Sequence, residues 1–344
     1  MNETLVARSA AVRKQRFKLP VNHTLTNELF QWGTVSSFIH VMHNGIISYY
    51  GVVFVGGLMV IPNSCLDRPK RVKQARNYFE QNIKDNLNKL PRHGEVFVIT
   101  QFYSIGFYHA MVESLPRLSR YIRFIDQRKD IKIYINCQSF MKSSLETLFP
   151  SRNISELVIC ETNGPIIATR VYFPEGSPCF KSTQSGLSQL SKEFRRYITP
   201  GIPVPPKNYI ILIKRSRKRS FAQHNEIASF LADIAKQNDM EFLVFSDARL
   251  PSFNDTKKIF NQARLVVAPH GAGVANTLFS NPGLFVIEIV CNSPRMNLCF
   301  RELTIFLGHH YHGIYSKSGC PFKLNVDVNE VKEAVRFYIK HVVA

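Results

Sequence analysis

At 344 residues, 45% of them hydrophobic, the chain has length and apolar content for about two domains with sizeable cores. Its 44 Lys and Arg against 25 Asp and Glu give a net charge of +19, which favours an acidic partner such as a phosphate ester, a nucleic acid or an anionic membrane surface. The most apolar run, residues 51–61, is far short of the roughly 20 residues of a membrane-spanning helix, and residues 1–20 contain no apolar signal core, so no entry into a membrane is expected.

Cys65, Cys137, Cys160, Cys179, Cys291, Cys299 and Cys320 form no Cys-x-x-Cys or Cys/His cluster. That spacing argues against a zinc site, and the odd count implies at least one free thiol. Asn-x-Ser/Thr sequons begin at Asn2, Asn22, Asn153 and Asn254, a weak pointer to a secretory compartment.

In chain order, residues 1–20 are basic and without hydrophobic period, and read as a disordered lead-in. From about residue 35 to 62, β-rich runs separated by His43-Asn44-Gly45 and Val55-Gly56-Gly57 predict hairpins. A strand at 95–100, a helix over 107–125 that Pro116 should kink, a strand at 131–137, a helix over 138–149 and a strand at 170–174 follow. A helix over 185–198 then meets a stiff proline-rich linker at 200–207.

The rhythm restarts with strands at 209–214, 241–246, 264–269 and 284–289, helices over 225–238 and 255–263, and a short helix after Gly273. The chain ends in a helix for which Asp327 and Glu330 form a capping pair. Alternation of this kind predicts α/β units with parallel sheets. The expected domains are 21–199, with its hairpins, and 208–325, followed by a C-terminal helix in 326–344.

In open parallel sheets ligands bind beyond the carboxyl ends of the strands, where a helix start can hold an anion. The segment 264–276 fits: the strand delivers the chain to His270, Gly271, Ala272 and Gly273, the glycines permit a tight turn, and Asn276 is placed to buttress it. The strand at 209–214 runs into Lys214, Arg215, Arg217, Lys218 and Arg219, and arginine suits a bidentate grip on a diphosphate. Read alone, that run also fits a solvated basic loop. In the first domain His109 and Glu113 stand four apart on one helix face, a candidate general base, or simply a pair near a helix end.

"GFYHAMVESLPRL", "IKRSRKRS" with the following "HNE", and "APHGAGVANTLFSNPGLFVIEI", in that order, resemble the catalytic domain of glycosyltransferase family 61, the family of protein O-GlcNAc transferases and plant xylosyl- and arabinosyltransferases. The resemblance covers about residues 90–320. It implies a GT-B-like α/β fold, two Rossmann-like doubly wound domains facing a cleft, and inverting transfer of a sugar, GlcNAc or xylose, from a UDP-sugar to a protein or glycan hydroxyl. It implies no cofactor and no required metal, in keeping with a chain that contains no Asp-x-Asp.

On that resemblance Arg215, Arg219, His270, Gly271, Ala272 and Gly273 hold the donor diphosphate. Glu288 accepts from the ribose or braces the sheet, and Glu113 is the base with His109 as neighbour or substitute. The chain departs from the family pattern at Ala110, where a Trp often stands, and at Asp255-Thr256, where an acid-Gln pair is usual. Golgi or ER residence is implied by the family, without an anchor in the sequence to match. The competing readings are an inactive nucleotide-sugar-binding or scaffold homologue and a basic RNA- or membrane-binding protein. The last should bind with steep salt dependence and has no need of the His-Gly-Ala-Gly turn.

Overall fold

Nine residues, Ile39–Ile47, form strand β1 of a seven-stranded sheet. The computed structural model describes residues 39–62, 68–174, 186–199, 208–291, 298–317 and 323–340, and the chain divides into two units, Met1–Tyr197 and Ile198–Ala344. The expected lead-in (1–20) and linker (200–207) lie outside the described residues.

In unit 1, β2 (Val53–Val55), β3 (Leu58–Val60), β4 (Arg92–Val98), β5 (Ile131–Ile135), β6 (Val158–Cys160) and β7 (Ile166–Pro174) join β1 in the order β3-β2-β1-β7-β4-β5-β6. The run β7-β4-β5-β6 is parallel, whereas β1, β2 and β3 extend it as an antiparallel meander. Val96, Phe97, Val98, Ile133, Tyr134 and Ile135 are buried, the near-continuous apolar signature of strands covered on both faces. Gly56 and Gly57, at φ 52° and 77°, turn β2 into β3 as the sequence leads one to expect.

His43-Asn44-Gly45 does not turn the chain: β1 runs through it in register with β7. Gly45 is there for close packing, since a Cβ would stand 2.8 Å from Val171 Cγ2.

Among the described residues, the α-helices of unit 1 are α1 (Arg68–Tyr78), α2 (Ile122–Gln127), α3 (Ser139–Leu148), α4 (Ile154–Leu157) and α5 (Gly186–Ile198). The single helix expected over 107–125 is broken into a π-helical turn, His109–Ser114, a 3-10 turn, Leu115–Leu118, and then α2. Pro116 sits in the first turn of the 3-10 segment, where a missing N–H is tolerated, and it cannot donate to continue the bonding of the preceding turn. A disulfide joins Cys137 to Cys160 across the ends of β5 and β6, with Cα atoms 5.3 Å apart.

Unit 2 contains β8 (Tyr209–Lys214), β9 (Ser220–Phe221), α6 (His224–Gln237), β10 (Glu241–Ser246), α7 (Phe253–Asn261), β11 (Ala263–Pro269), β12 (Phe285–Val290), α8 (Cys299–Phe306), β13 (His310–Tyr315), β14 (Lys323–Leu324) and α9 (Val328–Tyr338). Five of its strands form a fully parallel sheet in the order β10-β8-β11-β12-β13. α6 and α9 cover one face through Ile227, Leu231, Val331 and Val335 against Ile210, Leu212, Leu265 and Val267.

Beyond the opposite face, a 3-10 helix, Ala272–Phe279, approaches so closely that a Cβ on Gly273 would lie 3.0 Å from Ile213 Cγ2. Asp327 caps α9 by accepting from the N–H groups of Asn329 and Glu330. Among the described residues no helix is long and apolar enough to cross a membrane.

Candidate functional site

The strand order of unit 2 fixes where a ligand belongs. Taken in chain order the five strands run 2-1-3-4-5, so the connections after β8 and β11 leave in opposite directions, and the crevice between their carboxyl ends is the switch point at which open α/β sheets bind ligands. β8 ends at Lys214 and β11 at Pro269, which brings Arg215 and the His270–Gly273 turn to that crevice.

Of the five basic residues at the end of β8 and just beyond it, Lys214, Arg217 and Lys218 are exposed, whereas Arg215 and Arg219 are half-buried. Arg215 Nη1 donates to the His270 carbonyl at 3.1 Å. The guanidinium rests on Gly271 so closely that a Cβ there would collide with Nη1. Glycine at 271 is therefore a seat for an arginine, not merely a bend.

Burial lowers the pKa of both guanidinium groups from the usual value. Asp247 counteracts it at Arg215, and at Arg219 the like charge of Arg215 adds to it while Cys299 and Glu288 oppose it. Arg219 also has a left-handed backbone, φ 62°, a strained conformation of the kind that clusters at binding sites. Two desolvated cations held side by side form a place for an anion.

Behind this pair lies a buried polar chain. His270 Nδ1 meets Glu288 Oε1 at 2.6 Å, the Tyr311 hydroxyl donates to Glu288 Oε2 at 2.8 Å, and the His270 ring packs edge-on to Phe300. Glu288 is 1% exposed, and both its oxygens are engaged within the protein. Burial, with the Glu288 charge next, raises the Tyr311 pKa far above the usual phenol value, so Tyr311 remains a donor. Asn276 Nδ2 donates to the Gly273 carbonyl at 2.9 Å and pins the turn, while Ala272 is exposed at its tip. Asp255 accepts from Ser252 Oγ at 2.6 Å in the cap of α7.

Unit 1 assembles its own cluster on the π-helical turn. His109 Nδ1 lies 2.9 Å from Glu113 Oε2, and the same oxygen accepts from Gln101 Nε2 at 2.5 Å. Arg117 Nη2 donates to Gln101 Oε1. Arg117 is 1% exposed, and burial, opposed by the charge of Glu113, lowers its pKa to about 10. A guanidinium thus braces, through one amide, the carboxylate that holds the imidazole.

With Glu113 accepting at Nδ1, the tautomer this bond assigns carries its proton there and leaves Nε2 as the acceptor. The His109 side chain is 27% exposed and that of Glu113 only 2%. Sequence reasoning missed Gln101, Arg117 and Tyr311. Arg117 stands four residues after Glu113, so a helical reading could have paired them, whereas nothing local marks Gln101 or Tyr311.

A family model described as Glycosyltransferase 61 matches residues 107–287, more than half of the chain, beginning just before His109 and ending at the residue before Glu288. No curated protein matches it.

Proposed function

From the premise that the chain belongs to glycosyltransferase family 61, and so is a glycosyltransferase, we propose that it is an inverting, metal-independent GT-B enzyme that moves a sugar from a UDP-sugar to an acceptor hydroxyl. Unit 2 holds the donor diphosphate between Arg215, Arg219 and the turn His270–Gly273. The observation that carries the reading is the Arg215 guanidinium seated on Gly271 at the switch point of the sheet.

Cleavage of the bond between the anomeric carbon and the phosphate oxygen leaves a UDP with added negative charge. Arginines and the start of a helix stabilise that charge where it develops. Removing one such donor costs about 3–4 kcal/mol, or 10² to 10³ in rate. Glu288, with both oxygens occupied, orients His270 toward the diphosphate instead of reaching the ribose.

In unit 1 the burial of Glu113 and its two bonds support His109 as the base and Glu113 as the group that orients it, the reverse of the assignment the sequence favours. Nε2 takes the proton of the acceptor hydroxyl as its oxygen attacks the anomeric carbon opposite the departing UDP, so one displacement inverts the configuration. The Cys137–Cys160 disulfide, with Cys291 also disulfide-bonded, suits an oxidising compartment, as the family's secretory members would require.

The test is a thermal-shift screen of wild type and Arg215→Ala against UDP, GDP, CDP, ADP and their common sugars, in EDTA. A ligand at 100 times its Kd stabilises the fold by about 2.7 kcal/mol. Stabilisation by UDP that survives EDTA and vanishes in Arg215→Ala is expected. Stabilisation by no nucleotide sinks the donor site, stabilisation that requires metal sinks metal independence, and binding of UDP without sugar transfer to any acceptor marks an inactive nucleotide-sugar binder.

A further inference from the structure

Two tyrosines near His109 have left-handed backbones and exposed rings. Tyr50 has φ 60° and is 45% exposed, and Tyr103 has φ 67° and is 38% exposed. Left-handed backbone is costly for a bulky residue and persists where the surroundings over-determine it.

They do so here. The Tyr50 N–H donates to Glu161, whose other oxygen accepts from Asn136 Nδ2 at 3.2 Å, and Gly51 packs on the Thr100 carbonyl so tightly that a Cβ would clash. Tyr103 is locked into a turn by Gly106 N–H to its carbonyl at 2.7 Å and Ser104 N–H to the Gln101 carbonyl at 3.1 Å. The protein thus fixes two strained backbones and leaves more than a third of each tyrosine open to solvent.

The rings form one continuous run. Tyr50 stacks on buried Phe102 at 4.8 Å, the Arg71 guanidinium lies 5.2 Å from the Phe102 centroid and 4.6 Å from that of Tyr103, and the Tyr103 ring reaches that of His109 at 5.7 Å. We propose that this aromatic and arginine shelf, Tyr50, Arg71 and Tyr103, is the acceptor site, and that what it takes is a saccharide ring whose hydroxyl is thereby presented to His109.

The C–H face of a pyranose matches the electron-rich face of a tyrosine ring. The phenol and guanidinium groups supply donors for its hydroxyls, and two spaced aromatic surfaces suit a chain of two or more sugars better than a lone side-chain hydroxyl of a polypeptide. The inference rests on the transferase reading and adds the acceptor class to it.

The strain supplies a test in which stability and binding part company. Replacing either tyrosine by glycine removes the ring while relieving the backbone. Tyr50→Gly and Tyr103→Gly in the full chain should therefore keep or raise Tm, and should keep the UDP-induced thermal shift. On a printed array of plant and animal oligosaccharides, read with UDP present, they should lose saccharide binding at least tenfold. Tyr50→Phe and Tyr103→Phe, which retain the ring faces, should keep most of it.

Wild type that binds UDP but no oligosaccharide on the array overturns the shelf, as does wild type that transfers sugar to serine- or threonine-containing peptides alone. Glycine variants that bind saccharide like wild type also overturn it, and variants that lose Tm with binding assign the rings to the fold. The donor reading fails separately, in wild type, if UDP gives no thermal shift.

Discussion

Each unit sets a histidine Nδ1 against a buried carboxylate, and the two do so on opposite kinds of backbone. In unit 2, His270 and Glu288 stand just past β11 and within β12, on regular parallel strands, with Tyr311 of β13 filling the remaining carboxylate oxygen. In unit 1, His109 and Glu113 stand on a π-helical turn between an irregular loop and a 3-10 turn, with Gln101 and Arg117 behind them. The His270 side chain is 10% exposed and that of His109 is 27% exposed. A closed pair on rigid strands suits a fixed field for a charge that develops nearby. An open imidazole suits a group that must take a proton from a substrate.

The sharpest way to break this contrast is to remove each imidazole. His109→Ala should lower kcat by about 10² to 10⁴, the usual contribution of a positioned base, and leave the UDP-induced thermal shift intact. His270→Ala should weaken that shift, with the loss appearing in donor affinity as well as in rate. If both variants lose rate with donor affinity unchanged, the division of roles between the units is wrong.

A smaller effect tests the seat of Arg215 without touching its charge. Gly271→Ala places a methyl group where Nη1 now lies, so the guanidinium must leave the His270 carbonyl. A fall in kcat/KM of about 10², near that of Arg215→Ala and with Tm little changed, is expected for a displaced diphosphate donor. Full activity in Gly271→Ala would mean that Arg215 acts from another position and that the glycine serves the turn alone.

The contrast also explains what the sequence made legible. Strands such as Tyr209–Lys214 and Ala263–Pro269 are short apolar runs that end at basic or glycine-rich turns, and each is a local signal with a physical cause, so Arg215 and His270–Gly273 can be picked out from the order of residues alone. His109 and Glu113 are legible as an i,i+4 pair, but the break of 107–125 into π, 3-10 and α segments is not, because it depends on how the buried segment Ala110–Leu118 packs. Gln101 and Tyr311 were beyond reach for a related reason: each meets its carboxylate across a distance in sequence that no periodicity encodes. His43-Asn44-Gly45 misleads because a glycine needed for contact with Val171 looks the same as one needed for a turn.

The smallest effect concerns how the irregular backbone of unit 1 is held. Glu161 braces Tyr50 from a site where burial raises its pKa above the usual carboxyl value, against the opposing hydrogen bonds from the Tyr50 N–H, Asn136 and Thr100. A carboxyl whose folded-state pKa is raised binds its proton more tightly in the native chain, so its contribution to stability is present at acid pH and is lost as pH rises through the raised value. Glu161→Gln keeps an oxygen for the Tyr50 N–H but has no proton to lose. Urea unfolding of both proteins from pH 4 to pH 8 should therefore show the variant gaining on wild type as pH rises. A difference that is flat with pH, or that grows in favour of wild type, would mean that the hydrogen bonds to Glu161 outweigh its burial, and that the strained loop is held by a charged group, not in spite of one.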